Sequence, residues 1–213
     1  MGSGSSKNER IGRAGGGGGL DPSNIVSTES LVSARGKYQQ QVDDVLTTAK
    51  DFTEVYGDMA ILNDLQIAVL KGRDKLTMGY YDGGDNVTLN ADMFKTNFDP
   101  IYDRGGNHNV NRGNKSAIQA VTSHEIGHAL TSRIGSKIGI NNIDKVSDIV
   151  VKEAVKNTKH RGVVQMANQI SRYATSSNAE ALAEAVCDVY CNGKKAKSES
   201  KAIVNVMNKY LKG

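Results

Sequence analysis

The stretch Ser123-His124-Glu125-Ile126-Gly127-His128-Ala129-Leu130 decides how this chain is read. Residues four apart share one face of a helix, so His124 and His128 present two imidazoles to a single point. Two nitrogens so placed suit one metal ion. Glu125 beside them supplies a carboxylate able to take a proton from water and pass it to a leaving amine. A His-Glu-x-x-His run on a helix therefore points to metal-assisted hydrolysis of peptide bonds.

The surrounding pattern predicts a helix from Lys115 to Ile134, closed by Gly135. At about 100° per residue, Ile126, Leu130 and Ile134 form one stripe, and His124 and His128 lie roughly opposite with Ala117 and Val121. A helix apolar on most sides is an interior helix. Two histidines inside a protein need partners for their ring nitrogens, and a shared metal supplies them. Gly127 costs about 1 kcal/mol against Ala in a helix interior, which implies close packing at that point.

Two imidazoles need a third ligand. The segment from Tyr173 to Glu184 offers Glu180 and Glu184, again four apart, with Leu182, Val186 and Val189 on the opposite side. A buried carboxylate pair requires a cation or hydrogen-bond donors. Ser177-x-x-Glu180 also fits a capping box, in which the glutamate bonds back to the cap amide. A Glu180 committed to that cap would leave Glu184 as the third ligand, and both assignments stand at this point. Cys187 and Cys191 continue the carboxylate stripe; their spacing suits core packing better than a mutual disulfide.

His-Glu-Ile-Gly-His followed by Tyr173, Glu180 and Glu184 resembles the catalytic domain of the anthrax-lethal-factor type of zinc metallopeptidase, a gluzincin-like branch of the zincins. The resemblance implies zinc held by His124, His128 and Glu180, with Glu125 as general base. It makes Tyr173, seven residues before Glu180, an assistant to the transition state and Glu184 an outer support. It covers about five residues at the first motif and about a dozen at the second. Aromatic residues often lie between the two glutamates in that family, whereas this chain has Ala181-Leu182-Ala183. A compact domain behind a glycine-rich segment also resembles the C-terminal modules of phage minor head proteins and delivered toxins, which implies a particle or a larger parent polypeptide as context.

Outside the motifs, residues 1–35 are dominated by Gly, Ser and small polar residues, including the run Gly15 to Gly19, and read as disordered linker. The opening Met-Gly-Ser-Gly-Ser-Ser matches both an added leader and a linker within a longer polypeptide. A zincin-like domain is expected over 36–213. It begins with an amphipathic helix from Lys37 to Tyr56, followed by strands at Leu65 to Leu70, Lys75 to Tyr81 and Asn86 to Asn90. The last two are joined through Asp82-Gly83-Gly84-Asp85, giving a small antiparallel sheet. Helices follow at Ile143 to Lys159, Val163 to Tyr173, Ala179 to Cys191 and Ser198 to Leu211, so the class is α+β. By analogy with zincins, the strand near Asn86 to Asn90 is the sheet edge expected to pair with an extended substrate.

The 213 residues carry a net charge of +4, largely from lysines near the C-terminus, and only 5% of residues are aromatic. A nucleic-acid surface shows a denser basic patch interleaved with aromatics, so none is expected. No apolar run is long enough to span a bilayer and no secretory signal is seen, which leaves cytoplasmic, virion-associated or delivered locations. His108, in a Gly/Asn-rich segment, and His160, between Lys159 and Arg161, have surface-like surroundings and are not expected as ligands. The sequence thus leads to a zinc-dependent endopeptidase acting on protein or peptide. The alternative is a non-enzymatic zincin-like module whose metal only stabilises it.

Overall fold

The computed structural model describes residues 21–57, 65–82, 86–95 and 97–213. After a 3-10 turn (Pro22–Asn24) come strand β1 (Ile25–Ser30), the single turn α1 (Leu31–Ala34) and helix α2 (Gln39–Tyr56). Strands β2 (Gln66–Leu70), β3 (Gly79–Tyr81) and β4 (Val87–Asn90) lead to short helices α3 (Asp92–Lys95) and α4 (Asp99–Asp103). Five helices complete the chain: α5 (Ala117–Ile138), α6 (Ile143–Lys156), α7 (Val163–Ile170), α8 (Asn178–Asn192) and α9 (Ser198–Lys212). The class is mixed α+β, as the periodicities predict. Among the described residues no helix is long and apolar enough to cross a membrane.

The sheet has four strands in the order β1-β2-β4-β3, and it is mixed rather than antiparallel. β1 runs antiparallel to β2, with Ser30 opposite Gln66, and β3 antiparallel to β4, with Gly79 opposite Leu89. β4, not β3, lies beside β2, and the two are parallel with Gln66 opposite Thr88. Burial does not reveal the placement, since β3 and β4 both alternate buried and half-buried residues; the pairing does. The sheet edges are β1 and β3, and β4 is interior, which corrects the expectation for Asn86 to Asn90. The Asp82 to Asp85 turn lies partly outside the described residues.

β1 and α1 also fall inside the stretch read as linker. The sequence hid them because β1 is an outer strand with little burial: Val26 is 58% exposed. Leu31 and Ala34 of α1 are buried and join the core. The part of that stretch before Asp21 lies outside the described residues.

The motif helix α5 starts at a complete capping box, in which Ser116 accepts from the Gln119 amide and the Gln119 side chain accepts from the Ser116 amide. Asp99 adds a further acceptor for the amide of Ala117 at 2.7 Å. The helix runs past Gly135 to Gly139, which takes the left-handed conformation with φ 73°. Gly135 has a different reason to be glycine. A side chain there would collide with the carbonyl of Ile140, which folds back over the last turn.

α5 and α8 pack directly on one another, with α2, α6 and α9 around them. They come close together at Gly127, where an added Cβ would sit 2.9 Å from the Cα of Ala183 and 3.3 Å from the Cβ of Val186. The small Ala183 is thus the counterpart of Gly127. An aromatic at Ala183 would separate the two helices.

Candidate metal centre

The Gly127–Ala183 contact aligns one turn of α5 with one turn of α8. His124 and His128 then face Glu180, and ligand atoms of all three buried side chains lie within 4.8 Å of one another. Nε2 of His124 is 3.0 Å from Oε2 of Glu180, and Nε2 of His128 is 3.7 Å from the same oxygen. The 3.0 Å contact lacks the geometry of a hydrogen bond. Both Nε2 atoms and both Glu180 oxygens are buried without a hydrogen-bond partner among the described residues.

Glu184, one turn further along α8, is in the opposite condition. Its Oε2 accepts from the Val110 amide at 2.9 Å and the Ser171 hydroxyl at 2.6 Å, and its Oε1 lies 2.9 Å from Nδ1 of His124. A carboxylate that accepts on every side accepts the hydrogen bond of Nδ1–H, so Nε2 is the ring nitrogen of His124 turned to the metal position. Nε2 faces a carboxylate oxygen at 3.0 Å, an arrangement that needs positive charge, a proton or a cation, between the two. A cation bound by His124, His128 and Glu180 would satisfy all four orphaned atoms at once. The residues present fit a metal.

The capping alternative for Glu180 is settled by the same atoms. Ser177 caps α8 and accepts from the Glu180 amide at 3.1 Å, but the reciprocal bond from Glu180 is missing. Its carboxylate stays free for the centre, while that of Glu184 is fully engaged.

The electrostatics of these side chains among themselves follow the geometry. Burial alone would lower the His124 pKa, but Glu180 and Glu184 on its two ring nitrogens hold it well above the usual imidazole range. Burial would raise Glu180, yet His128 and His124 bring it down to about 2. Glu125 is pushed up to about 7 by burial, with Glu180 and Glu184 adding and the two histidines opposing. Both Glu125 oxygens are buried and have no hydrogen-bond partner among the described residues. Gly79 at the start of β3 leaves room for this side chain, since a Cβ there would lie 2.8 Å from Glu125 Oε1.

Tyr173 sits in a 3-10 turn (Tyr173–Thr175) rather than at the end of α7, which stops at Ile170. Ser171 anchors that turn by accepting from the Ala174 amide at 3.0 Å while donating to Glu184. The Tyr173 ring is 5.9 Å from that of His124 and 5.5 Å from that of His108, centroid to centroid. Burial raises the phenol's pKa strongly, and the carboxylates of Glu180, Glu125 and Glu184 raise it further. Tyr173 thus stays protonated and able to donate.

His108 does not join the three-residue group; it packs on Tyr173, and burial lowers its pKa. His160 is not surface-like as expected. Its ring is 7% exposed and its Nε2 lies 2.7 Å from Oε1 of Glu199. Cys187 and Cys191 are free, with sulfurs 4.0 Å apart, and Cys187 faces the Ala120 carbonyl of α5. Sequence reasoning missed Gly79, Val110 and Ser171. Of these only Ser171, two residues before Tyr173, carried a signal, as a polar residue ending an apolar helix.

No protein-family model matches this chain, nor does any curated protein or solved structure compared with it.

Proposed function

We propose that this chain is a zinc-dependent endopeptidase of the zincin type. The observation that carries the proposal is the convergence of four orphaned, buried ligand atoms from His124, His128 and Glu180, with the Glu125 carboxylate beside them. Two imidazoles and one carboxylate are a donor set suited to zinc with an open position. Zinc bound there would supply Lewis acidity, bringing the pKa of water down to about 7 and polarising a carbonyl.

The remaining steps belong to the chain. Glu125 takes the proton from the attacking water and delivers it to the departing amine, a role matched to a carboxyl tuned near neutrality. A cation at the two Nε2 atoms would lower that pKa and keep Glu125 ready to accept. The Tyr173 hydroxyl donates to the oxygen on which negative charge develops. Glu184 fixes the tautomer and direction of His124 and is itself fixed by Val110 and Ser171. β3 is the last strand of the sheet and passes Glu125 at Gly79, so an extended peptide laid along that edge would meet the carboxylate.

The test is Glu125→Gln. Cleavage of an unfolded protein such as casein should fall by about 10²–10⁴-fold, with metal content and melting behaviour retained. Undiminished cleavage would remove Glu125 as the base. A wild-type protein that binds zinc stoichiometrically and cleaves nothing would leave the metal a purely structural role.

A further inference from the structure

One short segment, residues 107–110, holds two of the side chains that surround His124. It runs beside the turn of Tyr173: the carbonyl of Asn107 accepts from the Arg172 amide at 2.9 Å, and that of His108 from the Tyr173 amide at 2.7 Å. It ends on Glu184, whose Oε2 accepts from the Val110 amide at 2.9 Å. The segment is itself fixed by the His108 amide on the Gly105 carbonyl and by the Tyr102 hydroxyl on the Val110 carbonyl, both at 3.0 Å. Tyr173 and Glu184 therefore share one support.

Tyr173 needs that support, because its turn is only three residues long and its amide bonds outside the turn. A backbone bond places the Cα but leaves the side chain a choice of rotamers. Ring contacts restrict that choice. The phenol lies 5.5 Å from the His108 ring, tilted by 38°, and 5.9 Å from the His124 ring, tilted by 35°. Of these two imidazoles only His108 stands outside the candidate metal centre. Its ring acts as a plane: burial lowers its pKa, which keeps it uncharged at neutral pH, and its Nε2 is buried with no hydrogen-bond partner among the described residues.

We propose that His108 is a positioning residue for the peptidase reaction: its ring holds the Tyr173 side chain in the rotamer from which the hydroxyl donates to the developing oxyanion. The inference rests on the peptidase reading and on the role given there to Tyr173. A ring pair of this kind shifts a conformational equilibrium by about 2- to 10-fold, which sets the scale of the effect. His108→Ala removes the ring and keeps the carbonyl that receives the Tyr173 amide, so it isolates the ring contact. His108→Phe restores a plane without the chemistry of an imidazole.

Two measurements test it. The first is the set of three-bond couplings across χ1 of Tyr173 in tyrosine-labelled protein, its signals identified by their absence from Tyr173→Phe. A single rotamer is expected in the wild type and in His108→Phe, and averaged couplings in His108→Ala. A Tyr173 that keeps one rotamer in His108→Ala overturns the proposal. The second is the kinetics of casein cleavage, in which His108→Ala should lower kcat by about 2- to 10-fold with KM and zinc content unaltered. His108→Phe should recover that loss, and in a Tyr173→Phe background His108→Ala should lower kcat no further. A loss that persists in that background, or one that appears in KM alone, also overturns it. Cleavage indifferent to His108→Ala refutes the positioning role and spares the peptidase. A rotamer that depends on His108 in a protein that cleaves nothing keeps the contact and removes the reaction.

Discussion

Two meetings of histidine and glutamate, one half-buried and one fully buried, show what a completed contact looks like and what an incomplete one requires. His160 and Glu199 join the segment before α7 to the start of α9. They meet at 2.7 Å, and the second oxygen of Glu199 accepts from the Ser198 hydroxyl at 2.8 Å. One proton between ring and carboxylate finishes that pair. At the motif, two rings converge on Glu180 while Glu184 already fixes the far nitrogen of His124, and four polar atoms are left without partners. A single proton cannot satisfy three converging groups. Proximity of histidine to carboxylate is thus no sign of a metal site; unsatisfied convergence is.

The comparison is broken most severely by changing the two glutamates of α8 separately. Glu184→Ala removes only the support of His124 and should lower zinc affinity by roughly 10–100-fold, the usual cost of losing an outer partner. Glu180→Ala removes a ligand and should exceed that range. Competition with a chromophoric chelator measures both, and the reverse ranking would make Glu184 the ligand. Next in size is Gly127→Ala, which forces a Cβ against Ala183 and should cost about 1–3 kcal/mol in denaturant unfolding while weakening zinc binding. Gly162, with nothing within 4 Å of an added Cβ, is the control that should leave zinc affinity unaltered.

Smaller effects belong to the finished pair. His160→Gln should cost about 1 kcal/mol of stability and leave zinc affinity unchanged; loss of metal would erase the distinction between the two regions. Its partner gives the pH dependence. Burial would raise the Glu199 pKa, but hydrogen bonds from His160 and Ser198 hold it below the usual glutamate value. A lowered folded-state pKa gives stability that is present above the ordinary range and is lost as pH falls through the folded value. The melting difference between wild type and Glu199→Gln should therefore narrow on acidification from about pH 6 to about pH 3, a trend followed by circular dichroism.

The sequence disclosed the helices through their apolar residues, on one face in α6 and α9 and on most sides in α8; all three lie within a few residues of where Val146, Leu182 and Ile203 place them. It disclosed the motif residues because metal chemistry restricts residue type and spacing together. What it concealed depends on pairing across the chain. Nothing in Val87 to Asn90 says that this strand inserts between β2 and β3, and β1 has too little burial to leave a pattern. The α5 terminus was misplaced because Gly135 and Gly139 look alike in sequence, although one is constrained by a neighbouring carbonyl and the other by its φ. The support of Glu184 was invisible in part because one donor is a backbone amide, which any residue at Val110 would supply.

The central claim is that the orphaned atoms of His124, His128 and Glu180 are zinc ligands. Its most direct test is elemental analysis of purified protein, wild type beside Glu180→Ala and Glu125→Gln, after equilibration with zinc and removal of excess. The account predicts one zinc per chain in the wild type and in Glu125→Gln, and none in Glu180→Ala. Zinc absent from the wild type, or retained in full by Glu180→Ala, would contradict it.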